Sequence, residues 1–503
     1  MNRLLARHPL ALFWAAAALI LAPSLALAER HTLRLTLRQT LTMARDHSPS
    51  ALVAIHRYRT SYWQYVTFKA DTRPNLRLST DPIDWTRSIE QQTLPIGIDA
   101  FVPKSQANST ASLELSKVIT FTGGEITLSS QLSRLQALQG QDLLGTVPTS
   151  YSATPVQLSY SQPIFGFNSY KWDQRIEPRR FTEARQGLVE DLENVQASAM
   201  SYFFDLSTAQ VTLRDAETER ARSETLLTVA RQRYDQHKAP ENDVLQAELA
   251  DLNADLRVTR ARVDVDWKRQ RLGTFLGLGD DPDFDLVPAL DVPTPEVKLE
   301  VAVAEARRNR PTAMAWDRTL LESERSVAQA HASRGNTWLN ASYGLARTSE
   351  EFQDAYRGEP RTDQQVMLSV SLPIVDWGRT EARVAVAESQ REVTRRQVDQ
   401  AKADFDRDVF LRVAQFQIQE RQLELSARAD SVAERRYQLT RDRYVSGEGD
   451  LNSVNIAQTE KDSARRGYLD ALSSYWYAYY DVRRATLYDF ERGTPIRPPE
   501  VSF

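Results

Sequence analysis

The chain of 503 residues contains no cysteine. That excludes disulfides, thiolate metal sites and a thiol-linked lipid anchor, and it leaves packing to supply the stability. Histidine is nearly as scarce, at six residues, and no HExxH pair occurs. Basic charge is not in surplus: 63 Lys and Arg stand against 67 Asp and Glu, a net charge of −4, so the electrostatic footprint of a nucleic-acid binder is missing. Long hydrophobic runs are missing too, except near the start. There "ALFWAAAALILA" follows Arg3 and Arg7 and precedes a small-residue "ALA" ending at Ala28, the three parts of an export signal. The run is shorter than the ~20 residues of a spanning helix, the form a membrane anchor would take. Loss of residues 1–28 takes the net charge from −4 to −6. Mean hydropathy is −0.48, as in a water-soluble protein.

What the sequence does have is itself, twice. "LSYSQPIF" from Leu158 returns as "LSVSLPIV" from Leu368, an offset of 210 residues. The offset holds without a gap through Arg233-Tyr234 and Arg443-Tyr444, Asn242 and Asn452, Val244 and Val454, and Ala247 and Ala457. So long a period is not that of a short-repeat solenoid.

Within each copy a long helix is predicted. Leu188, Leu192, Val195, Ala199, Tyr202, Leu206, Ala209, Leu213 and Ala216 alternate spacings of four and three, the a/d pattern of a coiled coil. The same register places Val398, Phe405, Val409, Phe416 and Leu423 in the second copy. Each reads as an uninterrupted helix of ~60 residues, ~90 Å long. Tips follow at "HKAPEND" and "SGEGDLN", where Pro240, Gly447 and Gly449 break the pattern. The chain then returns along Val244, Ala247, Ala254, Val258, Ala261 and Val265 in one copy and Val454, Ala457, Ala464, Tyr468, Ala471 and Tyr475 in the other. Leu245, Leu249, Leu252, Leu256 and Val263 add a second apolar face in the first copy only, as expected of a helix with neighbours on both sides.

Ahead of each long helix lies a β region. In "VQLSYSQ" and "VMLSVSL" apolar residues alternate with small polar ones, the dyad pattern of a transmembrane barrel strand and equally of a soluble half-buried sheet. Pro163 and Pro373 close these strands. "NLRLST" and "TWLNASYGL" are the expected partners. "ARTSEEFQDAYRGEPRTD" is a long polar loop, and the first half inserts a further hairpin, "SLELSKVITFTGGEITLSSQLS", turning at Gly123-Gly124. Whether that hairpin adds barrel strands stays open here. Opening helices, "LTLRQTLTMARDHSP" and "LEVAVAEARRNRP", align Ala44 with Ala306 and Pro49 with Pro311. The organisation is thus a signal peptide at 1–28, a first repeat at 29–278, a linker at 279–298, a second repeat at 299–490 and a tail at 491–503.

The duplicated "LSYSQPIF" and "LSVSLPIVDWGRTEARVAVAE" blocks, with the tips "RYDQHKAPENDVLQAE" and "RYVSGEGDLNSVNIAQ", resemble the TolC-like outer-membrane efflux family over nearly the whole mature chain. The resemblance implies coiled-coil hairpins plus transmembrane β strands, pooled by a homotrimer into one β-barrel in outer-membrane lipid and continued by an α-helical tunnel into the periplasm. It implies a passive exit duct of an efflux or type I secretion system, with a periplasmic adaptor and an inner-membrane transporter of RND, ABC or MFS type as partners, and without nucleic acid, cofactor or metal. Two rivals stand beside it. An enzyme would need a site motif, and "GLGDD" lacks the phosphate-loop lysine while no serine elbow occurs; the aromatic run "YWYAYYDV" reads as helix packing. A periplasmic coiled-coil adaptor would share the hairpins but carry one, flanked by soluble β domains.

The resemblance also implies a constriction at the periplasmic tips. Carried over by position, its tyrosine falls on Tyr444 and the acid of the first hairpin on Asp243. The two acidic positions of the second hairpin fall on Ser453 and Ile456, and the basic partner on Gly449. A ring with fewer acids carries less negative potential, so weak block by multivalent cations is expected. The expected latch is Asp243 with Tyr444, and the expected plug is Ile456; Asp243 also reads simply as an acid favoured at a helix start.

Overall fold

A computed structural model describes residues 33–93, 97–139, 149–238, 240–279, 284–287, 289, 292–357, 359–448 and 450–500. The leader at 1–28 and Gly449 lie outside them. The offset of the duplication reappears in the elements. Helix α3 (Ser169–Asp235) corresponds to α8 (Arg379–Ser446), and α4 (Glu241–Leu276) to α9 (Leu451–Thr486). The opening pair α1 (Leu37–His47) and α2 (Pro49–Asp71) corresponds to α5 (Leu299–Asn309) and α6 (Pro311–Ala332). Both long helices begin well before the heptad stripe that announces them. Turns of α3 ahead of Gly187 are held by ionic partners on α6, and Pro178 lies within the helix without ending it.

The chain divides into two compact units. The smaller takes residues 33–41 and 202–289. In it β1 (Leu33–Leu35) pairs in parallel with β6 (Phe284–Leu286), so the stretch read as a linker contributes a strand. Gln210 accepts from the Leu286 amide at 3.3 Å, and Arg269 donates to the Phe284 carbonyl at 3.1 Å. The lower part of α3 runs beside α4, tied by Arg220 to Asp255 and Arg262 to Glu217. Ala247, Ala254, Val258, Ala261 and Val265 are buried as their periodicity required, whereas Leu245, Leu249, Leu252, Leu256 and Val263 are exposed.

The larger unit takes residues 42–201 and 290–500. Its helices α3 and α6 come from different repeats and are stitched antiparallel by four ion pairs: Asp173 with Arg325, Arg180 with Glu322, Glu183 with Arg318, and Glu190 with Arg310. Hairpin α8–α9 is laced by Arg412 with Asp481, Asp430 with Arg465, and Arg436 with Glu460, and Lys461 lies 4.6 Å from the Tyr437 ring centroid. Tyr475, Tyr479 and Tyr480 of the aromatic run are buried, Tyr475 against Phe416 at 5.3 Å and donating to the Pro293 carbonyl. Burial pushes the Tyr475 and Tyr480 phenols up to about 12.

One antiparallel sheet completes this unit: β2 (Asn75–Thr93), β3 (Asp99–Ile119), β4 (Gly124–Gln139), β5 (Ser150–Pro163), β7 (Asn336–Ser349) and β8 (Arg361–Ser371), in that order. The inserted hairpin is β3–β4, so "NLRLST" in β2 pairs with β3 rather than with "VQLSYSQ" in β5. The reason is local. Gly123, at φ +79°, closes a tight turn that brings β4 directly back along β3. Pro82 sits at a register shift in β2, where a residue without an N–H is tolerated.

Candidate functional site

Two regions are candidates for function: the sheet and the helical tips. The sheet is sorted by face along its whole width. One row runs Leu76, Leu115, Leu128, Leu158 and Tyr343 across β2, β3, β4, β5 and β7. The adjacent row runs Asn75, Ser116, Thr127, Ser159, Ser342 and Gln365 across all six strands. Ala341 pairs with Val366 and Leu339 with Leu368, so the apolar face continues to the far edge. Serine and asparagine on the polar face bond across the two repeats, Ser161 Oγ to Asn340 Oδ1 at 2.8 Å.

An ordinary half-buried sheet would hide the apolar rows. Here they are open: Leu115, Leu128 and Leu158 are 39%, 44% and 48% exposed even in mid-sheet. The four-residue α7 (Asp354–Arg357) packs against β5 and β7, with Phe352 edge-on to Tyr151 near the ends of those strands. Large side chains mark the opposite, helix-side end. Phe121 in the β3–β4 turn, Phe165 after β5 and Trp377 after β8 are 88%, 76% and 95% exposed. A single layer with one apolar face, one polar face and an aromatic rim is what a barrel wall between lipid and water requires. No helix among the described residues is long and apolar enough to cross a membrane.

At the first tip, α3 ends in a turn with His237 at φ +58° and the Lys238 amide donating to the Arg233 carbonyl at 2.9 Å. Pro240 starts α4 without a side-chain cap, and Glu241 and Asp243 lie in the first turn, where the helix dipole favours acids. At the second tip, Gly447 (φ +94°) closes α8, and the Glu448 amide donates to the Arg443 carbonyl at 3.0 Å. Asp450 caps α9: its carboxylate accepts from the Ser453 hydroxyl at 2.7 Å and the Ser453 amide at 2.8 Å. These bonds, the hydroxyl first, hold the Asp450 carboxyl below its ordinary range.

Of the residues expected at the constriction, Ser453 and Ile456 share the exposed face of α9, one turn apart. Val454 and Ala457 form its buried face, and Tyr444 is itself buried, so its ring belongs to the packing of the hairpin end. Asp243 is partly exposed on the other unit. Sequence reasoning passed over Asp450. An aspartate three residues before Ser453, directly after the helix-breaking glycines, was the signal for an N-cap. Among the described residues no cluster of His, Asp and Glu is arranged to hold a metal ion.

The chain thus combines duplicated long helical hairpins with an open sheet that has one apolar and one polar face. Residues 302–486 match the family model for outer membrane efflux proteins. Solved structures share the fold along the chain. The outer membrane channel CmeC of Campylobacter jejuni is 13% identical with a TM-score of 0.64, covering 92% of this chain and 87% of its own. The outer membrane protein VceC of Vibrio cholerae is 13% identical with a TM-score of 0.63, covering 92% and 97%. The open-state MtrE outer membrane channel of Neisseria gonorrhoeae is 17% identical with a TM-score of 0.54, covering 90% and 88%. A comparison with curated protein sequences finds no match. The second repeat thus matches the outer membrane efflux protein family, and this match supports an outer-membrane channel component of efflux systems.

Proposed function

We propose that three copies of the chain assemble into one passive exit duct, fed by an inner-membrane pump of RND, ABC or MFS type through a periplasmic adaptor. The observation that carries this reading is the open sheet. Six strands with free edges at β2 and β8 cannot enclose a conduit alone, and an unclosed edge in lipid leaves backbone groups unpaired. Pooling strands among copies removes both costs. The helices favour the same solution. Leu411, Ile418, Leu425, Val432 and Leu439 recur at every seventh residue of α8 and are exposed, like the second stripe of α4. Apolar stripes of this kind suit neighbouring copies in a wall of helices.

Under this reading the periplasmic end closes at the tips. Ile456, 47% exposed, supplies an apolar plug, Asp243 a remaining acid, Ser453 a hydroxyl held by the Asp450 cap, and Tyr444 packing at the end of the second hairpin. Native mass spectrometry of outer-membrane extracts is the test: a species of three chains is expected, and a stable monomer overturns the reading. A periplasmic adaptor, the alternative, would leave the chain in the soluble fraction.

A further inference from the structure

The duplication by itself provides two strands per repeat, β2 with β5 and β7 with β8. The inserted hairpin raises the count in this sheet to six. We propose that β3–β4 is part of the membrane wall, so that the assembled barrel holds eighteen strands, three copies of six, where the duplicated plan alone would give twelve. This rests on the trimeric reading above.

Three observations support it. The hairpin carries the same two faces as the rest of the sheet, in register: Leu115 and Leu128 lie between Leu76 and Leu158 in the apolar row, while Ser116 and Thr127 lie between Asn75 and Ser159 in the polar row. A hairpin folded outside the barrel would have no reason to keep that alternation. Next, this end of the hairpin is anchored to the residue before the long helix, to β5 and to the end of α2. Asn168 Nδ2 donates to the Thr120 and Phe121 carbonyls, each at 3.0 Å, Gln162 Nε2 donates to the Thr122 carbonyl at 3.0 Å, and Lys117 donates to the Thr72 carbonyl. A side chain at Gly123 would meet Asn168 at 3.0 Å, so the turn is fitted to this seat. Finally, Phe121 at the turn joins Phe165 and Trp377 in the aromatic rim, as a wall strand's end should.

Strands β2 and β8 run in opposite directions, so an edge-to-edge junction between copies is antiparallel like every other pairing in the sheet. Barrel diameter grows with strand number. At the usual strand spacing and tilt, eighteen strands give about 36 Å across the backbone, against about 24 Å for twelve. The outer-membrane end would then be a wide exit suited to bulky cargo, and selection would fall to the periplasmic tips.

The absence of cysteine permits a clean test. Single substitutions Leu115→Cys and Leu128→Cys, with Leu158→Cys and Leu368→Cys as references, are labelled with bimane and reconstituted in phosphatidylcholine vesicles containing nitroxide-labelled lipid. Blue-shifted emission quenched by the lipid nitroxide is expected at all four positions. Quenching at Leu158→Cys and Leu368→Cys alone overturns the eighteen-strand barrel and leaves the channel reading standing. Quenching at none overturns both. Single-particle images of the trimer give a second measurement: eighteen strands are expected, and twelve overturns the proposal.

Discussion

Arg483 near the end of α9 donates to both carboxylate oxygens of Glu193 on α3, at 2.8 and 3.3 Å, and to Asp489 at 3.2 Å. Glu193 is 2% exposed. Taking the arginine away strands a buried carboxylate, a change that costs about 3–5 kcal/mol. Arg483→Met is therefore expected to lower the thermal midpoint sharply, and Glu193→Leu with Arg483→Met to recover much of the loss. A single variant as stable as the parent by calorimetry would show that the pair is not what joins these helices.

The α3–α6 ladder makes a prediction about acid. Burial raises the Glu322 carboxyl, but hydrogen bonds from Arg180 and Arg318 outweigh it, and the folded value lies below the unfolded one. Its stabilising contribution is thus complete above the ordinary glutamate range and is lost as pH falls through the depressed folded value. Glu322→Gln should reduce stability near neutrality and flatten the acid limb of a stability–pH curve. Parallel curves for the two proteins would remove Glu322 from the acid response.

Two leucines separate folding from assembly. Leu206 is fully buried within one chain and Leu249 is 60% exposed on the second stripe of α4. A charge at the first position costs several kcal/mol in any state. Leu206→Asp should lose helicity and trimer together, whereas Leu249→Asp should keep helicity by circular dichroism and lose the trimer on native gels. Normal trimer yield from Leu249→Asp would mean that the stripe faces no neighbour.

At the tips, Ile456→Ala and Asp243→Ala should each raise single-channel conductance in planar bilayers, because one removes the exposed apolar side chain and the other the acid at the start of α4. Unchanged currents in both would place the constriction elsewhere. Asp450→Ala is a useful companion. Losing an N-cap costs about 1 kcal/mol and frays the first turn of α9, so this variant should act through the noise of the open state more than its mean.

Much of this molecule is legible in its sequence, for a reason particular to duplication. The match of Arg233-Tyr234 to Arg443-Tyr444 fixes the ends of both hairpins at once, and two independent heptad stripes confirm each other's phase. The sheet was harder. In β3 alternation is confined to the stretch around Leu113 and Leu115; above it Gln106, Asn108, Ser109 and Thr110 continue the strand past the apolar band, where nothing apolar is demanded. Strand order was not readable either, because "NLRLST" fits any polar-and-apolar partner and only the turn at Gly123 decides which one it meets. At the tips the sequence supplied positions but not directions. Tyr444 and Ile456 are twelve residues apart across a turn, and which of the two is buried depends on how α9 packs.

The unit of insertion matters more than its length. A single extra strand would deliver the chain to the wrong side of the membrane and invert every element after it, but a hairpin returns the chain to its point of departure. The seat formed by Asn168 and Gln162 takes up the returning turn while the long helices keep their offset of 210 residues. In the duct proposed above, exit width and tunnel geometry would thereby be separate variables. Such a channel could enlarge its outer pore in paired steps while the packing within its helical hairpins stayed the same.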